Sequence, residues 1–177
     1  VILWCGLIPL AIALAGAAAV VLYSAGKTPI SALPLGEAIS GCVMGGLIPL
    51  ACFFCLTGCL SACALVCSIP CIIGVALIMM TNNACDIEKD ADAGRRTLPV
   101  LLGRARARAA YRALIICWLA AICVLVAAFF SGDAIWLPFM LLSSISLVKA
   151  LWKNPLAPAS RIAAMGGIVS LNVVLGA

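Results

Sequence analysis

Long stretches without a single charged residue constrain this chain more than any other feature. Asp, Glu, Lys and Arg are absent from residues 1–26, 38–85, 113–132, 134–148 and 162–177. A bilayer core is crossed by roughly 20 apolar residues in a helix. Lipid offers no partner for backbone amides, so such stretches must satisfy their own hydrogen bonds as helices. The second window is long enough for two spans, and "LTGCLSA" (residues 56–62) supplies a Thr-Gly turn about where the first would leave the hydrocarbon. The expectation is an all-α, multi-span bundle of six transmembrane helices. Only 10% of the residues are charged and 66% are hydrophobic, against about a quarter charged in an average soluble domain, which excludes an ordinary water-soluble globule.

The first window carries no charge before Lys27, so it lacks the basic start of a secretory signal and reads as a span. The chain opens at Val1, already apolar and without an initiator Met, and is expected to be the C-terminal part of a longer protein. Lys and Arg near span ends are retained on the cytoplasmic side, and the eleven bases agree on one topology. Lys27 lies between spans one and two. Lys89, Arg95, Arg96, Arg104, Arg106, Arg108 and Arg112 lie between three and four, and Lys149, Lys153 and Arg161 between five and six. Both ends are then outside, and the net charge of +5 gathers on the cytoplasmic face, where it favours anionic head groups and substrates. Arg104, Arg106, Arg108 and Arg112 read as a positive-inside anchor with lipid-facing contacts. Loops this short present too little soluble surface for a nucleic-acid partner.

Eleven cysteines, six of them stepping by three or four residues from Cys52 to Cys71, raise a metal or redox stripe. The chain has no His to complete a typical zinc set, and the stripe reads instead as small, polarisable helix-packing residues. Pro9, Pro49 and Pro70 fall within spans as candidate kinks.

Against this background "TNNACDIEKDADAGRRTLPV" (residues 81–100) stands out. If span three continues as a helix beyond the membrane surface, Asn82, Asp86 and Asp90 share one face at i, i+4 and i+8, with Asn83 at its border. Carboxylates one turn apart repel each other, and oxygen ligands of this kind suit Mg2+ completed by waters and substrate phosphates. Gly94 would stop the helix, and Arg95 and Arg96 follow where a metal-bridged diphosphate could meet them. The alternative is a solvated, self-neutralising loop, since the acids and bases nearly cancel; it leaves the helical register of the carboxylates unexplained.

The block "NNACDIEKDADAGRRTLPVLLGR" resembles the second aspartate-rich motif of the UbiA superfamily of intramembrane aromatic prenyltransferases, above all that of the 1,4-dihydroxy-2-naphthoate polyprenyltransferases of menaquinone synthesis. "LYSAGKTPISALPLGE" is similar to the segment after that family's fourth helix, its Y-x-x-x-K element falling on Tyr23 and Lys27, and "NPLAPASRIAAMGGIV" to the approach to its last helix. The resemblance implies a bundle of nine helices, of which about six are present here as one domain over residues 1–177.

It implies an integral membrane enzyme of a bacterial cell membrane, its active site facing the cytoplasm, that transfers a polyprenyl group from an isoprenoid diphosphate to an aromatic acceptor. The acceptor expected is 1,4-dihydroxy-2-naphthoate, giving demethylmenaquinone, with 4-hydroxybenzoate, chlorophyllide or haem as alternatives. On this likeness Asp86 and Asp90 hold Mg2+, Asn82 supports that shell, Arg96 and Lys27 bind phosphate oxygens, and Tyr23 lines the site near the reacting carbon. Asn83 and Arg95 match motif positions on the diphosphate side. The family's first aspartate-rich motif has no counterpart here, so that half of the metal cluster is missing; the chain is expected to be either a fragment of a longer enzyme, inactive alone, or a degenerate relative without activity.

Two other classes compete. The longer D-G-x-x-A-R pattern of CDP-alcohol phosphotransferases is absent. The other is a transporter or structural membrane subunit; a conduction pathway would be expected to leave ionisable residues inside the spans, whereas here charge collects at one rim. Prenyl chain length and oligomeric state are specified by no motif.

Overall fold

The computed structural model describes residues 6–176. The expected beginning of the first span at residues 1–5 and the end of the last at Ala177 lie outside the described residues, as does the side chain of Asp133. Among the described residues six helices are long and apolar enough to cross a membrane, and there is no strand. The elements are α1 (Leu7–Ser24), α2 (Gly36–Thr57), α3 (Ala62–Cys85), the short α4 (Ile87–Asp92), α5 (Leu98–Phe129), α6 (Leu137–Lys153) and α7 (Arg161–Gly176).

The Thr-Gly turn falls where expected. Gly58 takes a φ of 74° just past the end of α2, the Thr57 hydroxyl donates back to Phe53 O at 2.8 Å, and Ser61 Oγ caps α3 by accepting from Ala64 N at 3.4 Å. Within α2 the backbone widens to a π-helical stretch over Gly41–Leu47, directly before Pro49. Proline lacks the amide that would close a regular turn, and a widened turn is one way a helix accommodates the loss. Pro9 lies in the first turn of α1, and Pro70 in the first turn of Ile69–Cys85, the part of α3 that restarts after a turn at Ser68, where a missing amide costs little.

α3 is the centre of the bundle. Leu77, Met80, Ala84 and Cys85 are buried against Tyr111, Ile115, Trp118 and Ile122 of α5 and against Ala164, Ile168, Leu171 and Leu175 of α7, with Leu151 of α6 closing the cluster. In lipid, apolar burial drives helix association weakly, because the alternative environment is equally apolar; close packing and interhelical hydrogen bonds carry more of the load. Both are present. Thr81 Oγ1 shares a 3.2 Å hydrogen bond with the Tyr111 hydroxyl, and Asn172 Nδ2 donates to Gly74 O at 3.3 Å. A side chain at Gly41 would place its Cβ 2.6 Å from Ile72 O, and one at Gly45 would overlap the Ile72 amide, so α2 and α3 touch backbone to backbone.

The side chains of the cysteine stripe are mostly not buried. Cys52, Cys59, Cys63 and Cys71 are exposed on the bundle surface and Cys67 is half-buried. No group of three or more metal-capable side chains occurs among the described residues.

Candidate functional site

Span three does not run on as a helix through the acidic stretch. Asp86, at φ −106° and ψ 19°, separates α3 from α4, its amide donating to Asn83 O at 3.2 Å while its carbonyl accepts from Asp90 N at 2.8 Å. The expected single face of Asn82, Asp86 and Asp90 is therefore broken, and the two carboxylates acquire different partners. Gly94 does end α4. Its φ of 72° allows Gly94 N to reach Ala91 O and Arg95 N to reach Asp90 O, the paired bonds of a Schellman stop that a residue with Cβ would strain.

Asp86 is held from the far end of the chain. Arg161, the first residue of α7, places Nη1 3.2 Å from Asp86 Oδ1 and 3.0 Å from Oδ2, and its Nη2 donates to Asn82 Oδ1 at 2.6 Å. Asn82 and Asp86 thus remain together under one guanidinium. Asp90 is buried, at 3% exposure; Arg95 Nη1 donates to its Oδ1 at 2.6 Å and Thr97 Oγ1 to its Oδ2 at 3.4 Å. The second fork of Arg95 donates to Ser31 O at 2.6 Å, and Arg96 N donates to Ala32 O at 2.8 Å. These bonds fasten the loop between α1 and α2, which carries Lys27, onto the segment that follows α4.

Asn83 turns toward α2, where its Nδ2 donates to Glu37 Oε1 at 2.9 Å. Glu37 is 5% exposed and its Oε2 is buried without a hydrogen-bond partner. The Lys27 and Arg96 side chains are exposed and form no ion pair among the described residues. Tyr23 lies near the end of α1, and its hydroxyl would be 3.4 Å from a Cβ at Gly36, the first residue of α2. Its ring lines an apolar cavity of about 190 Å³ with Ile39, Val43, Met44 and Met79. A second cavity of about 420 Å³, sharing Val20, Val43 and Met44, continues along α1 and α2 to Ile12 and Ala51.

Three blocks that are remote in sequence thus meet at one end of the bundle. The Asp86 and Asp90 carboxylates and the Asn82 amide oxygen at this end are hard oxygen donors of the kind that suit a divalent cation, each of them paired with an arginine. Arginines from two of the blocks surround them, and an apolar cavity begins at Tyr23.

Two of the arginines expected to face lipid also work inside this end. Arg104 Nη2 donates to Glu88 Oε1 and Oε2 at 2.7 and 2.6 Å, while Nη1 donates to Ala84 O at 3.2 Å and also to Leu156 O. Arg112 donates twice to Trp152 O and lies 5.2 Å from the centre of the Trp152 ring. Both are brackets between helices in place of the expected lipid-facing anchors. The Arg104 hydrogen bonds hold the Glu88 carboxyl below its ordinary value of 4.5. A depressed folded-state value means that the contribution is present above the unfolded value and disappears as pH falls through the folded one. Glu88→Gln should therefore unfold at a lower temperature than wild type at pH 7, and the two unfolding midpoints in detergent should converge as the pH drops below the carboxylate range.

Comparison with known proteins follows the same line. The model of the UbiA prenyltransferase family matches residues 1–171. Over 171 aligned residues the chain is 34% identical to a protein of Bacillus subtilis (strain 168) named 1,4-dihydroxy-2-naphthoate octaprenyltransferase, covering 93% of this chain and 53% of that protein. The chain therefore spans about half the length of the curated relative it matches. No solved structure matches it.

Proposed function

The chain belongs to the UbiA prenyltransferase family, and from that premise we propose that it serves the transfer of a polyprenyl group from an isoprenoid diphosphate to 1,4-dihydroxy-2-naphthoate, in menaquinone synthesis. The observation that carries this reading is the convergence of the three blocks at one end of the bundle: Arg161 on Asp86 and Asn82, Arg95 on Asp90 and Ser31, and Asn83 on Glu37. The name of the Bacillus subtilis relative supports the acceptor. The distribution of Lys and Arg supports a site that faces the cytoplasm.

In this reading Asp86 and Asp90 hold Mg2+ and Asn82 supports that shell. When bound, the cation would neutralise charge that develops on the departing diphosphate. Lys27 and Arg96, both exposed at the rim, bind phosphate oxygens. Arg95 spends both forks of its guanidinium on Asp90 and Ser31, so it acts by positioning Asp90, and Asn83 acts in the same way through Glu37. Tyr23 stands where the polar rim passes into the apolar cavity, beside the carbon that becomes electron-poor as its bond to diphosphate breaks; the ring face stabilises such a centre. The cavity from Tyr23 to Ile12 takes the prenyl chain and keeps water from the reacting carbon.

The test supplies membranes carrying the full-length gene product with labelled prenyl diphosphate and equal amounts of the naphthoate, 4-hydroxybenzoate and chlorophyllide. Label should enter the naphthoate product, and chelation of divalent cations should stop it. Transfer to none of the aromatic acceptors would overturn the proposal, and preferential labelling of another acceptor would overturn the choice of the naphthoate.

A further inference from the structure

We propose that Arg161 is an exchangeable counter-ion: it occupies the Asp86 carboxylate while the site is empty and passes to the substrate's phosphate oxygens when cation and diphosphate enter together. This rests on the function proposed above and adds to it a residue and a coupling. Arg161 touches Asp86 and Asn82 at once, at 3.0 and 2.6 Å, so one guanidinium covers two of the oxygen donors that a divalent cation would need. A cation entering alone meets a paired carboxylate and a fixed positive charge beside it, and like charges at such distances repel strongly in a partly buried site.

The arrangement is also built to let go. The Arg161 side chain is 42% exposed, against 14% for that of Asp86, and its only hydrogen bonds among the described residues go to Asn82 and Asp86. Arg95, by contrast, is tied to a backbone carbonyl as well as to its carboxylate. The base of Arg161 is fixed: Asn154 Oδ1 accepts from Leu156 N at 2.8 Å and from Ser160 Oγ at 2.9 Å, and Arg104 reaches Leu156 O. A rigid loop therefore carries a long side chain with one exposed flank. Diphosphate oxygens offer a guanidinium the same two-pronged geometry as a carboxylate, with more charge.

The consequence is positive coupling. Diphosphate draws Arg161 from Asp86 and opens the cation position, and by thermodynamic reciprocity the cation must strengthen diphosphate binding by the same factor. The test measures Mn2+ binding to the purified full-length protein by electron paramagnetic resonance, with and without an unreactive prenyl thiolodiphosphate. Wild type should bind Mn2+ about tenfold more tightly with the analogue, within the usual range of such couplings. Arg161→Gln should bind Mn2+ alone more tightly than wild type, and the enhancement by the analogue should largely vanish. Arg161→Lys, which keeps the charge, should retain part of it and serves should the Gln variant fold poorly. Unchanged Mn2+ affinities in Arg161→Gln, or weaker Mn2+ binding without the analogue, would overturn the exchange while leaving the proposed function standing. Failure of wild type to bind the analogue at all would overturn both.

Discussion

Asp86→Asn should lower prenyl transfer by at least about 100-fold, the scale on which loss of one preorganised charge-stabilising group is felt in an active site, while leaving the fold intact. Asn keeps the shape of the side chain, and the guanidinium it releases is 42% exposed, so water can take over its hydration. Asp90→Asn should lose activity to a similar degree but also lose stability. Its carboxylate is 3% exposed and receives both Arg95 and Thr97, and breaking one side of a buried pair is far more damaging than breaking an exposed one. Transfer rates per unit of membrane protein, set beside unfolding midpoints in detergent, separate the two effects. Asp92→Asn, on an exposed position of α4, should change neither. Full activity in both Asp86→Asn and Asp90→Asn would remove the carboxylates from the mechanism.

The second large effect is on assembly. Gly45→Ala adds a single methyl group, yet that Cβ would fall on the backbone of α3 at Ile72, and backbone cannot swing aside as a side chain can. Overpacking of this sort costs about 1–3 kcal/mol, and adding Gly41→Ala, one turn away against Ile72 O, should leave little folded protein. Gly46→Ala is the internal control, because its Cβ would meet only the far end of the Ile72 side chain at 3.3 Å. Gly166→Ala, with nothing within 4 Å, should raise stability by several tenths of a kcal/mol through helix propensity. Thermal unfolding of the four variants in one detergent checks the order. A Gly45→Ala protein as stable as wild type would mean that α2 and α3 are not in backbone contact.

Both sites show which parts of this molecule a sequence exposes. Charge-free length and turn chemistry act locally, so the six spans, the break at residues 57–61 and the stop at Gly94 could be read directly. The acidic block was visible because charge is so rare elsewhere. Its geometry was less accessible, since helical periodicity assumed that α3 continues, whereas the chain turns at Asp86 and sends its carboxylate to Arg161. Nothing near Asp86 in sequence announces a partner 75 residues away. The same limit applies to Arg104 and Arg112, for which the positive-inside rule accounts for side but not for partner. Glu37 carried a signal that could have been used: a lone acid at the head of an apolar span has to find a donor, and Asn83 is that donor. Gly41 and Gly45 likewise carry the four-residue spacing of close helix contacts.

The cation site itself is open to direct mapping. With Fe2+ in place of Mg2+ and the prenyl thiolodiphosphate bound, ascorbate and peroxide generate hydroxyl radicals at the cation, which cut the backbone nearby. Cuts are expected within residues 82–96, suppressed by excess Mg2+ and abolished by Asp86→Asn. Cuts elsewhere in the chain, with residues 82–96 left whole, would contradict a cation site at Asp86 and Asp90.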